Sequence, residues 1–220
     1  MKLFIRYIYL FLFFLLPLTA LADFEQPKPM SARIADQLYN PAGNTVAGNP
    51  NGSITLVEFF DYNCPNCRDF QPKLERLIAK NPELRVVYKE YLLFGEPSVP
   101  ATQAVLAANN QGKYLDLHKA LLQATKPLEQ DEVFTIAKNV NLDPMKLNAD
   151  MRSSGVAQQI AANNTLAKNL GIQGTPTFII TNRAIGKNIQ PGDVKQYMYE
   201  GNEGADIALQ KMIDALKTAS

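Results

Sequence analysis

Ile54-Thr55-Leu56-Val57-Glu58-Phe59-Phe60-Asp61-Tyr62-Asn63-Cys64-Pro65-Asn66-Cys67 is the stretch that decides how this chain is understood. Up to Phe60 it is an apolar run broken by one acid, the pattern of a buried strand. The two cysteines that follow are the only two in 220 residues, and they stand at i and i+3. Behind them Phe70, Leu74, Leu77 and Ile78 recur at helical spacing. A strand that hands over to a helix opening on C-x-x-C is the arrangement of a thiol–disulfide exchange site.

Cysteines at i and i+3 in a first helical turn share a face, so a Cys64–Cys67 disulfide closes after a small adjustment. At the helix N-terminus, free backbone N–H groups and the helix dipole stabilise a thiolate, which lowers the pKa expected for Cys64. Cys67, one turn deeper, is expected to be less exposed. Cys64 is then the exposed attacking sulfur, and Cys67 resolves the mixed disulfide. Pro65 fits early in the helix, where a missing N–H costs little. Asn66 supplies only a dipole where a histidine would add charge, so a milder oxidant is expected. Asp61 opposes the thiolate if it faces the same way.

Other uses of two cysteines fit less well. A purely structural bridge across two residues closes too small a loop to constrain the unfolded chain much. Zinc needs about four ligands, and beyond the thiols the chain has only His118 as a strong donor. A c-type haem attachment needs histidine where Arg68 stands. Copper(I) on two thiolates stays open. His118 shares a helical face with Tyr114, Leu115, Leu121 and Leu122, the setting of a packed histidine.

Before the decisive stretch, residues 1–22 have the form of a secretory signal: Lys2 and Arg6, an apolar run from Tyr7 to Leu18, then Ala20-Leu21-Ala22. Cleavage near Ala22 and export to an oxidising compartment, a periplasm, are expected. Removing Lys2 and Arg6 leaves 20 basic against 21 acidic residues. That balance offers no electrostatic case for nucleic acid. Residues 23–49 form an N-terminal arm with one short helix, Ala32 to Leu38, capped by Ser31. The arm is either an oligomerisation segment or a strap on its own domain.

After the first helix, 85–92 reads as a second strand, parallel to the first through a crossover. From 100 to 170, alanine, leucine and amide residues replace β-branched ones, and four or five helices are expected: 100–110, 114–124, 130–139, one capped by Asp143, and 154–170. Strand character returns at 177–180. Thr181-Asn182-Arg183 reads as a turn leading to a partner strand at 184–189. An amphipathic helix, 204–217, buries Leu209, Met212, Ile213 and Leu216.

The strand with C-P-x-C, Pro72 inside the helix, and Gly174-Thr175-Pro176-Thr177 entering a late strand together resemble the thioredoxin superfamily. The helical block between the halves resembles its DsbA-like branch, and residues 56–64 are similar to the DsbG- and ScsC-type members. The resemblance implies an α/β thioredoxin fold, βαβ…ββα, over 50–96 and 172–220, with an inserted all-helical subdomain at 97–171. It implies that Cys64 is the nucleophile, Cys67 the resolving cysteine and Pro176 a cis-proline facing the site. The backbone of Thr175 is then available to an extended substrate strand. Glu58 matches a buried carboxylate beneath the disulfide, with Lys89 on the next strand as its expected partner; it either relays a proton to Cys67 or forms only a strand-end salt bridge. No cofactor is implied. The expected partners are unfolded or partly folded exported proteins with cysteines, a membrane redox partner of DsbB or DsbD type, and a second copy bound through the arm. Disulfide formation is the leading activity. Isomerase, reductase, copper(I)-carrier and chaperone-like roles stay open.

Overall fold

In the computed structural model, residues 30–40, 43, 45–182, 195–198 and 204–218 are described. The centre is β2 (Ile54–Phe60), buried along its whole length, which is why it reads as a continuous apolar run rather than an alternating one. It pairs in parallel with β3 (Leu84–Glu90), which is equally buried. The connection between them is α2 (Pro65–Lys80), which continues through Pro72 and ends at Asn81, just before Pro82.

On its other side β2 pairs antiparallel with β4 (Thr177–Asn182), which in turn pairs antiparallel with β5 (Lys195–Met198). A short first strand, β1 (Val46–Gly48), runs antiparallel along the outer edge of β3. Among the described residues the order across the sheet is β1-β3-β2-β4-β5.

Alternate residues of the strands feed two apolar layers. Leu56, Phe60, Val86, Tyr88 and Phe178 pack with Leu74 of α2, with Leu209 and Ile213 of α8 (Ala205–Thr218), and with the helices between the two halves of the sheet. Val57, Phe59, Val87 and Ile179 face the other way. They are covered by Leu38 of α1 (Met30–Tyr39) and by Leu166 and Ala167 of α7 (Ser154–Asn169). The arm helix α1 therefore packs on the chain's own sheet, with Leu38 fully buried.

The helices between β3 and β4 are α3 (Val99–Ala108), α4 (Tyr114–Leu122), α5 (Gln130–Asn139), α6 (Pro144–Met151) and α7. Their ends follow local chemistry. Gly112 and Gly171 take positive φ just past helical segments. Asp143 accepts hydrogen bonds from the N–H groups of Met145 and Lys146 at 2.8 and 3.1 Å, and Pro144 opens the helix it caps.

Some expectations need correction. Helix α1 begins at Met30, so Ser31 lies inside it rather than capping it. The second strand stops at Glu90, two residues early. Thr181 and Asn182 are not a turn: they extend β4 along β2, pairing with Thr55 and Ile54. The expected partner strand at 184–189 lies outside the described residues, and the strand seen beside β4 is β5. Strand β1 falls in a segment that reads as loop, because three residues ringed by Gly, Asn and Pro carry no period. Gly48 earns its place there with φ of 72°, where a Cβ would sit 2.5 Å from the Leu84 carbonyl oxygen.

Candidate active site

The cysteines sit where β2 ends and α2 begins. Cys64 is the N-cap of α2, in extended conformation, and Pro65 is its first helical residue. The turn before it is built by Asp61. The Asp61 carboxylate accepts the Asn63 N–H at 2.9 Å, the Ser98 hydroxyl at 2.7 Å and the Phe94 N–H at 3.1 Å. The Asp61 carbonyl accepts the Cys64 N–H at 3.0 Å. Asn63 Nδ2 adds a bond to the Pro97 carbonyl at 2.8 Å. An aspartate bonding the N–H two residues on is a compact turn former. That pattern, Asp-x-Asn just before a helix, is the signal by which sequence could have found it. The carboxylate is thereby committed to donors of its own turn and of the 94–98 segment.

Both thiols are free. Neither is exposed: Cys64 keeps 4% of its surface and Cys67 keeps 1%. The expectation of an exposed Cys64 is thus corrected. Its sulfur lies beneath the Thr175–Pro176 segment, whose peptide bond is cis, and the Cys64 thiol donates to the Thr175 carbonyl at 3.1 Å.

The two thiols are pushed apart in acidity. Cys64 is lowered from 9.0 to about 6. The largest cause is the hydrogen bond from the Cys67 thiol, with burial opposing and the Thr175 hydroxyl and the Cys67 and Asn66 N–H groups adding to it. Thr175 serves both protonation states. Its carbonyl accepts the hydrogen bond of the protonated thiol, and its buried hydroxyl, left without a partner, favours the ionised sulfur. Cys67 moves the opposite way, raised by burial, then by its donor role toward Cys64 and by the charges of Cys64 and Glu58. At neutral pH the stable reduced state is a Cys64 thiolate beside a Cys67 thiol.

Glu58 is 2% exposed, and its Oε2 has no hydrogen-bond partner. Burial, then the nearby Cys64 charge, raises its carboxyl to about 8. It is a neutral acid beneath the sulfurs at pH 7. Lys89 does not pair with it. In the parallel ladder Glu58 stands beside Tyr88, and Lys89 stands beside Phe59. Glu58 and Lys89 therefore point to opposite faces of the sheet.

His118 is fully buried among Phe60, Tyr62, Tyr88 and Tyr114, with Nδ1 3.0 Å from the Tyr62 hydroxyl. Burial lowers it to about 3, so it stays neutral and supports the wall behind the turn. Arg68 ties that wall together, donating from Nε to the Tyr62 carbonyl at 2.8 Å and from Nη1 to the Ala124 carbonyl at 3.2 Å. Arg68 carries no signature of this bracing role in composition or periodicity.

A parallel βαβ unit, an antiparallel continuation, a helix-capping dithiol and a cis-proline across from it define a protein of the thioredoxin class. The chain belongs to the thioredoxin family, whose model matches residues 41–199. It is similar to a thioredoxin-like oxidoreductase from Silicibacter pomeroyi DSS-3, at 36% identity, covering 84% of this chain and 98% of that one, with a TM-score of 0.72. It is similar to Proteus mirabilis ScsC in a transitional conformation, at 30% identity over 86% of this chain and 78% of that one, with a TM-score of 0.68. Among curated relatives, disulfide bond formation protein D of Bacillus subtilis is 24% identical, over 70% of this chain and 75% of its own. A Na(+)/H(+) antiporter NhaA 3 of Salinispora tropica is 27% identical over 66% of this chain, and the match spans only 22% of the antiporter's length.

Proposed function

We propose that this chain is a periplasmic thiol–disulfide oxidoreductase that forms disulfides in exported proteins. The observation that carries the proposal is the split between the thiols, with Cys64 lowered to about 6 and Cys67 raised. A reduced state stabilised as a thiolate makes the corresponding disulfide the better oxidant. The N-terminal segment of Lys2, Arg6, an apolar run and Ala20-Leu21-Ala22 supports export.

The reaction balances as two exchanges. A substrate thiolate attacks Cys64 Sγ of the Cys64–Cys67 disulfide. The S–S bond breaks, and Cys67 leaves and takes a proton, for which the neutral Glu58 carboxyl is the adjacent source. A second substrate thiolate then attacks the substrate sulfur of the mixed disulfide and expels Cys64 as the stabilised thiolate. Two electrons pass to the dithiol, and the substrate gains one disulfide. A membrane redox partner of DsbB type restores the oxidised pair. In a reductase or isomerase role, a DsbD-type partner would instead keep it reduced. A second copy held through the N-terminal arm belongs to that isomerase alternative.

The test is the redox state of the pair in cells, read by alkylation with a mass-tagged maleimide, together with a Cys67→Ala trap. A mostly oxidised pair and trapped mixed disulfides with exported proteins are expected. A pair found mostly reduced would replace disulfide formation by isomerisation or reduction. No trapped substrate at all would remove the exchange function.

A further inference from the structure

Lys89, turned away from the cysteines, is left in an unusual position. It is 6% exposed, and burial lowers its ammonium to about 8, against the opposing pull of Glu90. Among the described residues no carboxylate lies within ion-pair distance of it. Neighbouring Glu90 is committed elsewhere, accepting from the Tyr114 hydroxyl at 2.6 Å and from Asn163 Nδ2 at 3.1 Å. A buried ammonium without a counter-ion is costly unless something else supplies the charge.

Lys89 lines a cavity of about 580 Å³ between the end of α1, the end of α3 and the start of α7. The cavity is on the opposite face of the sheet from Glu58. Its described lining holds no other charged residue and no aromatic ring. It is rich in amides, Gln37, Asn110 and Gln158 among them, with Leu106 and Leu166 as an apolar wall. Ser153 and Gly155 put the N-terminal end of the 16-residue helix α7 at the same cavity. The helix end and the ammonium favour negative charge from two directions.

We propose that this cavity binds a small organic monocarboxylate with a hydrogen-bonding body. One buried cation matches one anionic group. The amides match a body that both donates and accepts, such as an acylated amino acid or a short peptide terminus. The lack of aromatic lining leaves a planar base without a stacking partner. The site is separate from the dithiol and does not depend on the exchange activity.

The test uses the full chain with N-acetylglycylglycine and its uncharged C-terminal amide as probes, and inorganic phosphate as a bare anion. Side-chain amide signals of Asn and Gln are followed by NMR, with thermal melting alongside. The carboxylate should shift cavity amides and raise the melting temperature, and its amide should bind at least about tenfold more weakly. Lys89→Met should melt no lower than the parent, lose the carboxylate preference and keep its thiol reactivity. Equal binding of the two probes, an equal response to phosphate, or no response would overturn the proposal. A Lys89→Met protein that still discriminates would do the same. So would one that melts well below the parent, since the ammonium would then be satisfied within the fold.

Discussion

Glu58 and Glu90 are both buried acids on one face of the same sheet, one ladder step apart, since Glu58 stands beside Tyr88 and Phe60 beside Glu90. Burial raises both, Glu58 to about 8 and Glu90 to about 7. Their surroundings differ. Glu90 is held by Tyr114 and Asn163, groups from α4 and α7 that close a polar knot between sheet and helices. Glu58 has an oxygen with no partner and two sulfurs as its electrostatic neighbours. Equal burial therefore does not mean equal purpose. A satisfied acid stiffens the fold, and an unsatisfied one keeps a proton ready beside reacting atoms.

Cys64→Ala gives the sharpest break, because it removes the nucleophile and with it the exchange in which Glu58 would act. Insulin reduction should fall about a thousandfold or more while the fold persists. In the parent, the thiolate's ultraviolet absorbance should titrate near pH 6, and in Cys64→Ala that transition should vanish. Because the folded Cys64 pKa is lowered, the reduced protein's added stability is present above about pH 9 and is lost as pH falls through about 6.

Glu90→Ala should act on stability alone. It strands the Tyr114 hydroxyl and the Asn163 amide, a cost of about 2–4 kcal/mol in urea unfolding, with exchange per folded molecule unchanged. Glu58→Gln should do the reverse. Formation of the mixed disulfide, the step in which Cys67 leaves and takes a proton, should slow by roughly tenfold near pH 7. Stability should no longer decline between pH 4.5 and about 8, the window in which the carboxyl ionises in the unfolded parent but stays protonated in the folded one. If both acid variants change stability and neither changes exchange, the distinction between them fails. Asp143→Ala, remote from both acids, calibrates the scale: losing one helix cap should cost about 1 kcal/mol and leave activity untouched.

Much of this was legible in the chain. The largely apolar, non-alternating run of β2 announced a doubly covered strand, and the positions of Gly112, Asp143 and Gly171 marked helix ends. The dithiol at a helix start and the Gly174-Thr175-Pro176-Thr177 segment put both halves of the site in view. What stayed hidden depends on register and side-chain direction. A one-residue offset between two parallel strands separates Lys89 from Glu58, and no local pattern records such an offset. Asp61 was visible as a charge but not as the acceptor of three donors, two of them more than 30 residues away in the chain.

That aspartate ties two distant stretches to one residue. Its carboxylate holds the backbone of Phe94, which is 48% exposed, and its carbonyl holds the backbone of Cys64. A push on the Phe94 loop thus has a route to the nucleophile through two hydrogen bonds and one residue, without crossing the sheet. Contact at the surface and alignment of the sulfur share a single mechanical linkage.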